Sequence, residues 1–217
     1  NTASVMVASP GKLETDFAVL QKLREMGDGH NAEDPAFKAL KANLLAKYNV
    51  DTIEALPVNF RGIVAQQSEA DLTRVLNAFA EEQMQQQLSQ AQIARRFGWV
   101  SPMIAIQNAS MTLAGTDLEN YQRFLRDAEA VRFDFVQSLN SVHAERLSLE
   151  ADANKYRSQE ARKAATVSAD NWQILEDFHF SPAPPAMRLK DSVAAIAQLL
   201  FAAVLVTGLI LLTGRRI

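Results

Sequence analysis

Apolar residues recur every three to four positions along most of this chain, and the breaks between the runs are short. That period predicts helices throughout, an all-α protein built as an elongated bundle of long antiparallel helices. Leu13 to Met26 carries Phe17, Val19, Leu20 and Leu23 and is closed by Gly27-Asp28-Gly29-His30-Asn31. Asp34-Pro35 opens a second helix, proline being well suited to the first turn, with a stripe of Phe37, Leu40, Leu44, Leu45 and Tyr48. Residues 49–62, NVDTIEALPVNFRG, read as a connector with one short helical turn before Pro57. A long helix follows from Ile63 to about Val100, striped by Leu72, Val75, Leu76, Phe79, Met84, Leu88 and Ala91. Its glutamine-rich section solvates the outer face, since Met84, Leu88 and Ile93 interrupt the polar run.

The pattern then breaks sharply. Ser101-Pro102 starts a short helix, serine as the cap and proline at the first position, that is apolar on more than one face: Met103, Ile104, Ile106, Met111, Leu113. Such a helix lies under its neighbours or touches a membrane or a partner. Gly115 supplies the left-handed stop, and Thr116-Asp117 cap the next helix with Glu119 beside its positive end. The chain turns a corner there without a loop. The helix beyond is expected to be the longest element, striped by Leu118, Tyr121, Leu125, Ala128, Phe135, Leu139, Val142 and Leu149 in a heptad-like rhythm. Arg132 and Arg146 fall where that stripe wants apolar side chains. A buried arginine needs a carboxylate, and Glu129 or Asp117 is the expected partner of Arg132, holding the corner rigid.

After Lys155 the polarity rises, and the alternation of Trp172, Ile174, Phe178 and Phe180 suggests a short extended segment. Pro182, Pro184 and Pro185 make a stiff spacer. From Ser192 to Thr213 no side chain is charged, and about 20 such residues cross the hydrocarbon layer of a bilayer. This is read as a transmembrane helix, with Arg188 and Lys190 snorkelling to the headgroups. The division expected is residues 1–187 as a helical domain and 188–217 as the span with a short basic tail. Arg188 and Lys190 before the span balance Arg215 and Arg216 after it, so charge alone does not orient it. The first residues, NTASVMVASPG, look like a piece of a longer polypeptide.

Composition removes several functions. A net charge of -3 leaves no nucleic-acid footprint, and with 0 cysteines there is no disulfide frame, thiolate zinc site or cysteine nucleophile. His30, His143 and His179 lie far apart without ligand spacing, so no metal site is expected. There is no GxSxG elbow and no glycine-rich phosphate loop. Glu81-Glu82 read as a solvated face, and Tyr121, Phe124 and Phe135 as core rather than a ligand box, with Phe133 pointing away from the stripe. The chain is expected to have no catalytic residue and no cofactor, and not to be an enzyme.

The run SPMIAIQNASMTLAGTDLENYQRFLRDAEAVRFDFVQSLN, with LPVNFRG at Leu56 to Gly62, resembles bacterial ABC transporter permeases of the type-two exporter class. These carry a large helical extracytoplasmic domain, long catalogued as a domain of unknown function. The matching positions are Ser101, Pro102, Leu113, Ala114, Gly115, Thr116, Asp117, Phe124, Ala128, Glu129, Arg132 and Asn140. The similarity covers most of Leu13 to Asn140. Val131 stands where the family often has tyrosine, so a role for that hydroxyl does not carry over. The resemblance implies a permease in the bacterial inner membrane, with residues 1–187 outside the cytoplasm. It implies a separate ATP-binding subunit as partner, a second permease subunit, and a substrate or periplasmic protein received at the corner. The reading from a different class is a single-pass extracytoplasmic sensor or scaffold.

Overall fold

The computed structural model of the chain describes residues 33–174 and 177–214, together with Val19 and Gln21. The expected helix at Leu13–Met26 and the pair Arg215-Arg216 lie outside the described residues, as does the side chain of Trp172. Among the described residues the protein is all-α, without a strand. The helices are α1 (Pro35–Tyr48), α2 (Phe60–Arg96), α3 (Pro102–Ala114), α4 (Leu118–Arg146), α5 (Leu149–Asn154), α6 (Gln159–Ala164) and α7 (Pro185–Gly214). Short 3-10 turns sit at Ile53–Ala55, Phe97–Trp99 and Ala169–Ile174. The described residues form two compact units, one within 11–80 and 129–178, the other within 81–128 and 179–214.

Local chemistry explains the ends. Asp34 Oδ1 accepts from Ala36 N at 2.8 Å and Pro35 opens α1, which stops at Asn49 with φ 52°, a conformation asparagine tolerates. Two expected boundaries move. Asn59 Oδ1 accepts from Arg61 N at 2.9 Å, so α2 starts inside the presumed connector and its 37 residues make it longer than α4, with 29. Ser148 Oγ accepts from Ala151 N and caps α5, ending the long stripe before Leu149. The extended segment expected around Trp172 is also corrected, because Trp172 and Ile174 belong to the third 3-10 turn.

In the first unit the core is Leu44, Phe60 and Val64, with Phe37, Leu40, Tyr48, Ile53, Leu56 and Ile63 packed around them. Phe37 meets Phe60 edge-on at 5.2 Å. Here α2 and α4 run antiparallel at close range, since a Cβ on Gly62 would stand 2.5 Å from Ala144 Cα. Gln137 Nε2 donates to Gln66 O at 3.0 Å and ties the pair. Asp152 ends this unit's other polar cluster. It is 2 % exposed and accepts from Asn59 Nδ2 at 3.4 Å, His143 Nε2 at 2.8 Å and Lys155 Nζ at 3.3 Å.

In the second unit α2 and α4 are again antiparallel. Gln122, 1 % exposed, donates to Met84 O at 3.0 Å, and Arg126 forms a two-pronged pair with Glu81. The heptad reading put Tyr121 inside, but it is 56 % exposed and Gln122 takes the interior. A buried amide is tolerated because a main-chain carbonyl accepts its proton. In the same unit, α7 is long and apolar enough to cross a membrane, and over most of its apolar length it is not covered by other elements.

Candidate functional site

The corner gathers the residues that the sequence singled out, and adds others. Gly115 sits at φ 73° and closes α3 through its own N–H to Thr112 O and that of Thr116 to Met111 O. Asp117 is buried, and its Oδ1 accepts from Asn120 N at 3.0 Å and Asn120 Nδ2 at 2.6 Å, the capping expected of it. Thr116 Oγ1 reaches back to Met111 O at 3.4 Å. Ser101 stands at the cap position of α3 and Pro102 at its first turn, but the serine side chain makes no capping bond; its main-chain carbonyl accepts instead.

What the corner holds is the root of α7. Asn120 Oδ1 accepts from Ala183 N at 2.7 Å, Arg188 Nη1 donates to Leu113 O at 2.7 Å, and Gln198 Nε2 donates to Arg95 O at 3.1 Å. Arg188 is therefore turned to the corner. α3 packs antiparallel on α7 through small residues, Ala105, Ala109 and Thr112 facing Ser192 and Ala195, which lets the two backbones approach closely. Phe124, also expected at the site, stacks edge-on with Phe180 at 5.5 Å.

Beside these bonds lies a cleft of about 290 Å³ lined by Arg95, Asn108, Thr112, Asp117, Glu119 and Asp191, among others. Arg95 forms a two-pronged pair with Glu119 at 2.6 Å. That hydrogen bond raises the guanidinium's proton affinity above the usual value; burial opposes the shift, and Asp117 and Asp191 add to it. The cleft thus contains one cation and three carboxylates. Among the described residues no group of histidine, aspartate and glutamate could hold a metal ion.

Three of the expected site residues are elsewhere. Glu129, Arg132 and Asn140 belong to the unit of residues 11–80 and 129–178, not to the corner's unit. Arg132 does not pair with Asp117. Its guanidinium is shared by Glu129 at 2.7 Å, Glu69 at 2.7 Å and Thr73 Oγ1 at 2.9 Å. These carboxylates hold Arg132 charged far above any working pH, and Glu129 is in turn held below the usual carboxylate range by its hydrogen bond to Arg132, against a smaller opposing effect of burial. Arg132 thus braces α2 on α4. Arg132→Leu is expected to cost only about 1 kcal/mol, because the group is half exposed, and to leave protease sensitivity around Gly115 unchanged. Faster cleavage at the corner in this variant would restore the link that the sequence suggested.

The sequence reading missed Asn120, Ala183 and the interior placement of Gln122. Asp117-x-x-Asn120 was a visible signal, since a polar residue three after a cap can turn back on it. His143 was read as solitary, yet Asp152 lies nine residues on and 2.8 Å away. Gly115→Val is expected to cost about 2 kcal/mol, from the left-handed backbone and from a Cβ only 3.1 Å from Pro182 Cβ. The check is thermal melting of the detergent-solubilised protein; a midpoint equal to the parent's counts against the close fit.

No curated protein and no solved structure matches the chain. One family profile does, the "Domain of unknown function (DUF3526)", over residues 13–181. That match takes in α1 to α6, the corner and the segment that ends at Ser181, so the chain belongs to the DUF3526 family.

Proposed function

We propose that this chain is the extracytoplasmic helical part, with one following span, of a bacterial ABC transporter permease that works with a separate ATP-binding subunit. The observation that carries the proposal is the rooting of α7. Arg188 and Gln198 donate from a helix long enough to cross a membrane to Leu113 O and Arg95 O, and Asn120 Oδ1 accepts from Ala183 N in the segment that leads into it. A span fixed in this way moves as one body with α3, so a displacement of membrane helices reaches the polar cleft directly instead of being lost in a loose linker. The cleft and corner would receive substrate or dock a periplasmic partner. Hydrolysis of ATP falls to the other subunit.

The test is purification of the intact membrane protein in mild detergent and identification of what accompanies it. An ATP-binding subunit in stoichiometric amount, with ATPase activity changed by Asn120→Leu, supports the reading. A signalling kinase or no ATPase at all turns the evidence to an extracytoplasmic sensor, which could use the same rigid connection for another output.

A further inference from the structure

We infer that the turn joining α2 to α3, with the first turns of α3, is a second membrane contact that sinks past the headgroups into the outer part of the hydrocarbon beside the span. This rests on the reading of α7 as a span, and it assigns a lipid-facing role to a surface that the permease proposal leaves unused.

The exposed side chains there are apolar and large: Val100 is 84 % exposed, Met103 72 %, Phe97 58 % and Trp99 50 %, with Ile93 and Ile106 also exposed. Such a concentration on one face needs a cover, because solitary exposed apolar residues are ordinary but contiguous ones are not. The charge pattern agrees. From Gln83 to Thr116 the chain has no Asp or Glu, and its only charges are Arg95 and Arg96. Arg95 is paired with Glu119, so this stretch adds no carboxylate of its own and only Arg96 as a further charge, which suits a lipid cover better than an aqueous one.

Position along α7 sets the depth. The ring of Trp99 packs edge-on against Phe201 at 5.5 Å, and Gln198 reaches the carbonyl of Arg95. Arg215 marks the far limit of the uncharged run, and about 20 residues are needed to cross the hydrocarbon, which puts the near boundary close to Ala195. Phe201 stands six residues beyond Ala195, about 9 Å further along the helix axis. Trp99 is level with it. The turn cannot stay in bulk water while α7 spans: it lies past the boundary, where a lipid cover suits its exposed apolar side chains and the indole carries a single N–H. Gln198 falls about 4–5 Å inside that boundary, and its amide donates to Arg95 O, which is how a polar group is accommodated near the edge of the apolar layer.

The chain has two tryptophans, so Trp172→Phe leaves Trp99 as the sole indole reporter. The intact protein with this change is reconstituted in phosphatidylcholine–phosphatidylglycerol vesicles bearing nitroxide labels either near the headgroup or near the acyl-chain end. Carbonate extraction of the same vesicles tests the span independently. The expected result is retention in the membrane with Trp99 emission quenched several-fold by the lipid labels, at least as strongly by the deep label as by the shallow one, and poorly quenched by iodide. Retention with quenching by iodide alone overturns the inference while leaving the span intact. Retention with shielding from both lipid label and iodide also overturns it, and indicates protein as the cover. Release by carbonate removes the span and this inference together.

Discussion

Gly62→Val is expected to destabilise the unit of residues 11–80 and 129–178 by about 3 kcal/mol or more, the upper range for overpacking. A Cβ at this position would lie 2.5 Å from both Cα and N of Ala144 and 2.9 Å from its Cβ. Two of those atoms are main chain, so no rotamer change relieves the clash and the helices must separate. Separation breaks the hydrogen bond from Asn59 N to Ala144 O, at 2.6 Å, and uncovers Phe60 and Val64, both core residues. For a protein of this size such a loss lowers the melting midpoint by roughly 6–12 °C. Gly62→Ala should fall between parent and valine. Melting of all three in one detergent checks the order, and a valine variant that melts with the parent would show that the helices are not held at this distance.

The second large effect is expected at Asp152. Its carboxylate is enclosed and shared by Asn59, His143 and Lys155, while its main-chain oxygen accepts from Arg61 Nη1 at 3.3 Å. Asp152→Asn keeps the volume but places an NH₂ group against donors, leaving them facing another donor in a buried place. The cost is about 2–3 kcal/mol, for buried donors left without their acceptor. Burial pushes the Asp152 carboxyl up, but the hydrogen bonds from His143 and Lys155, aided by their charges, outweigh it, and the net direction is below the ordinary value of 3.8. A depressed carboxyl contributes stability that is complete above the unfolded group's value and fades as pH falls through the folded one. The gap between parent and Asp152→Asn should therefore close as the pH falls from about 5 into stronger acid. Denaturant or thermal melts across that range supply the check. A gap that widens on acidification would mean that the carboxylate is not the stabilised form.

These two positions also show why part of the molecule was hidden from the sequence. Gly62 was visible only as the end of a connector, and its neighbour Ala144 lies on another helix. Asp152 follows a serine cap and looked like any acidic residue in a first helical turn. The corner was half legible. Its stop at Gly115 and its cap at Asp117 are interactions within a few residues, and they stand as expected. Its purpose was not. Asn120 meets Ala183 across 63 positions, Arg188 meets Leu113 across 75, and Gln198 meets Arg95 across 103. Arg132 was misassigned for the same reason. Its helical neighbour Glu129 was found, but its other carboxylate, Glu69, is 63 positions away.

By itself the sequence determined the all-α class, the start of α1, the stop of α3, the cap of α4 and the apolar C-terminal helix, because helical period and capping chemistry act between residues at most about four apart. Only the tertiary structure decided that Gln122 is interior and Tyr121 exterior, that Arg132 braces α2 on α4, and that the corner roots α7. Those outcomes depend on which carbonyls and carboxylates a neighbouring helix presents once it is in register, and no local pattern carries that register.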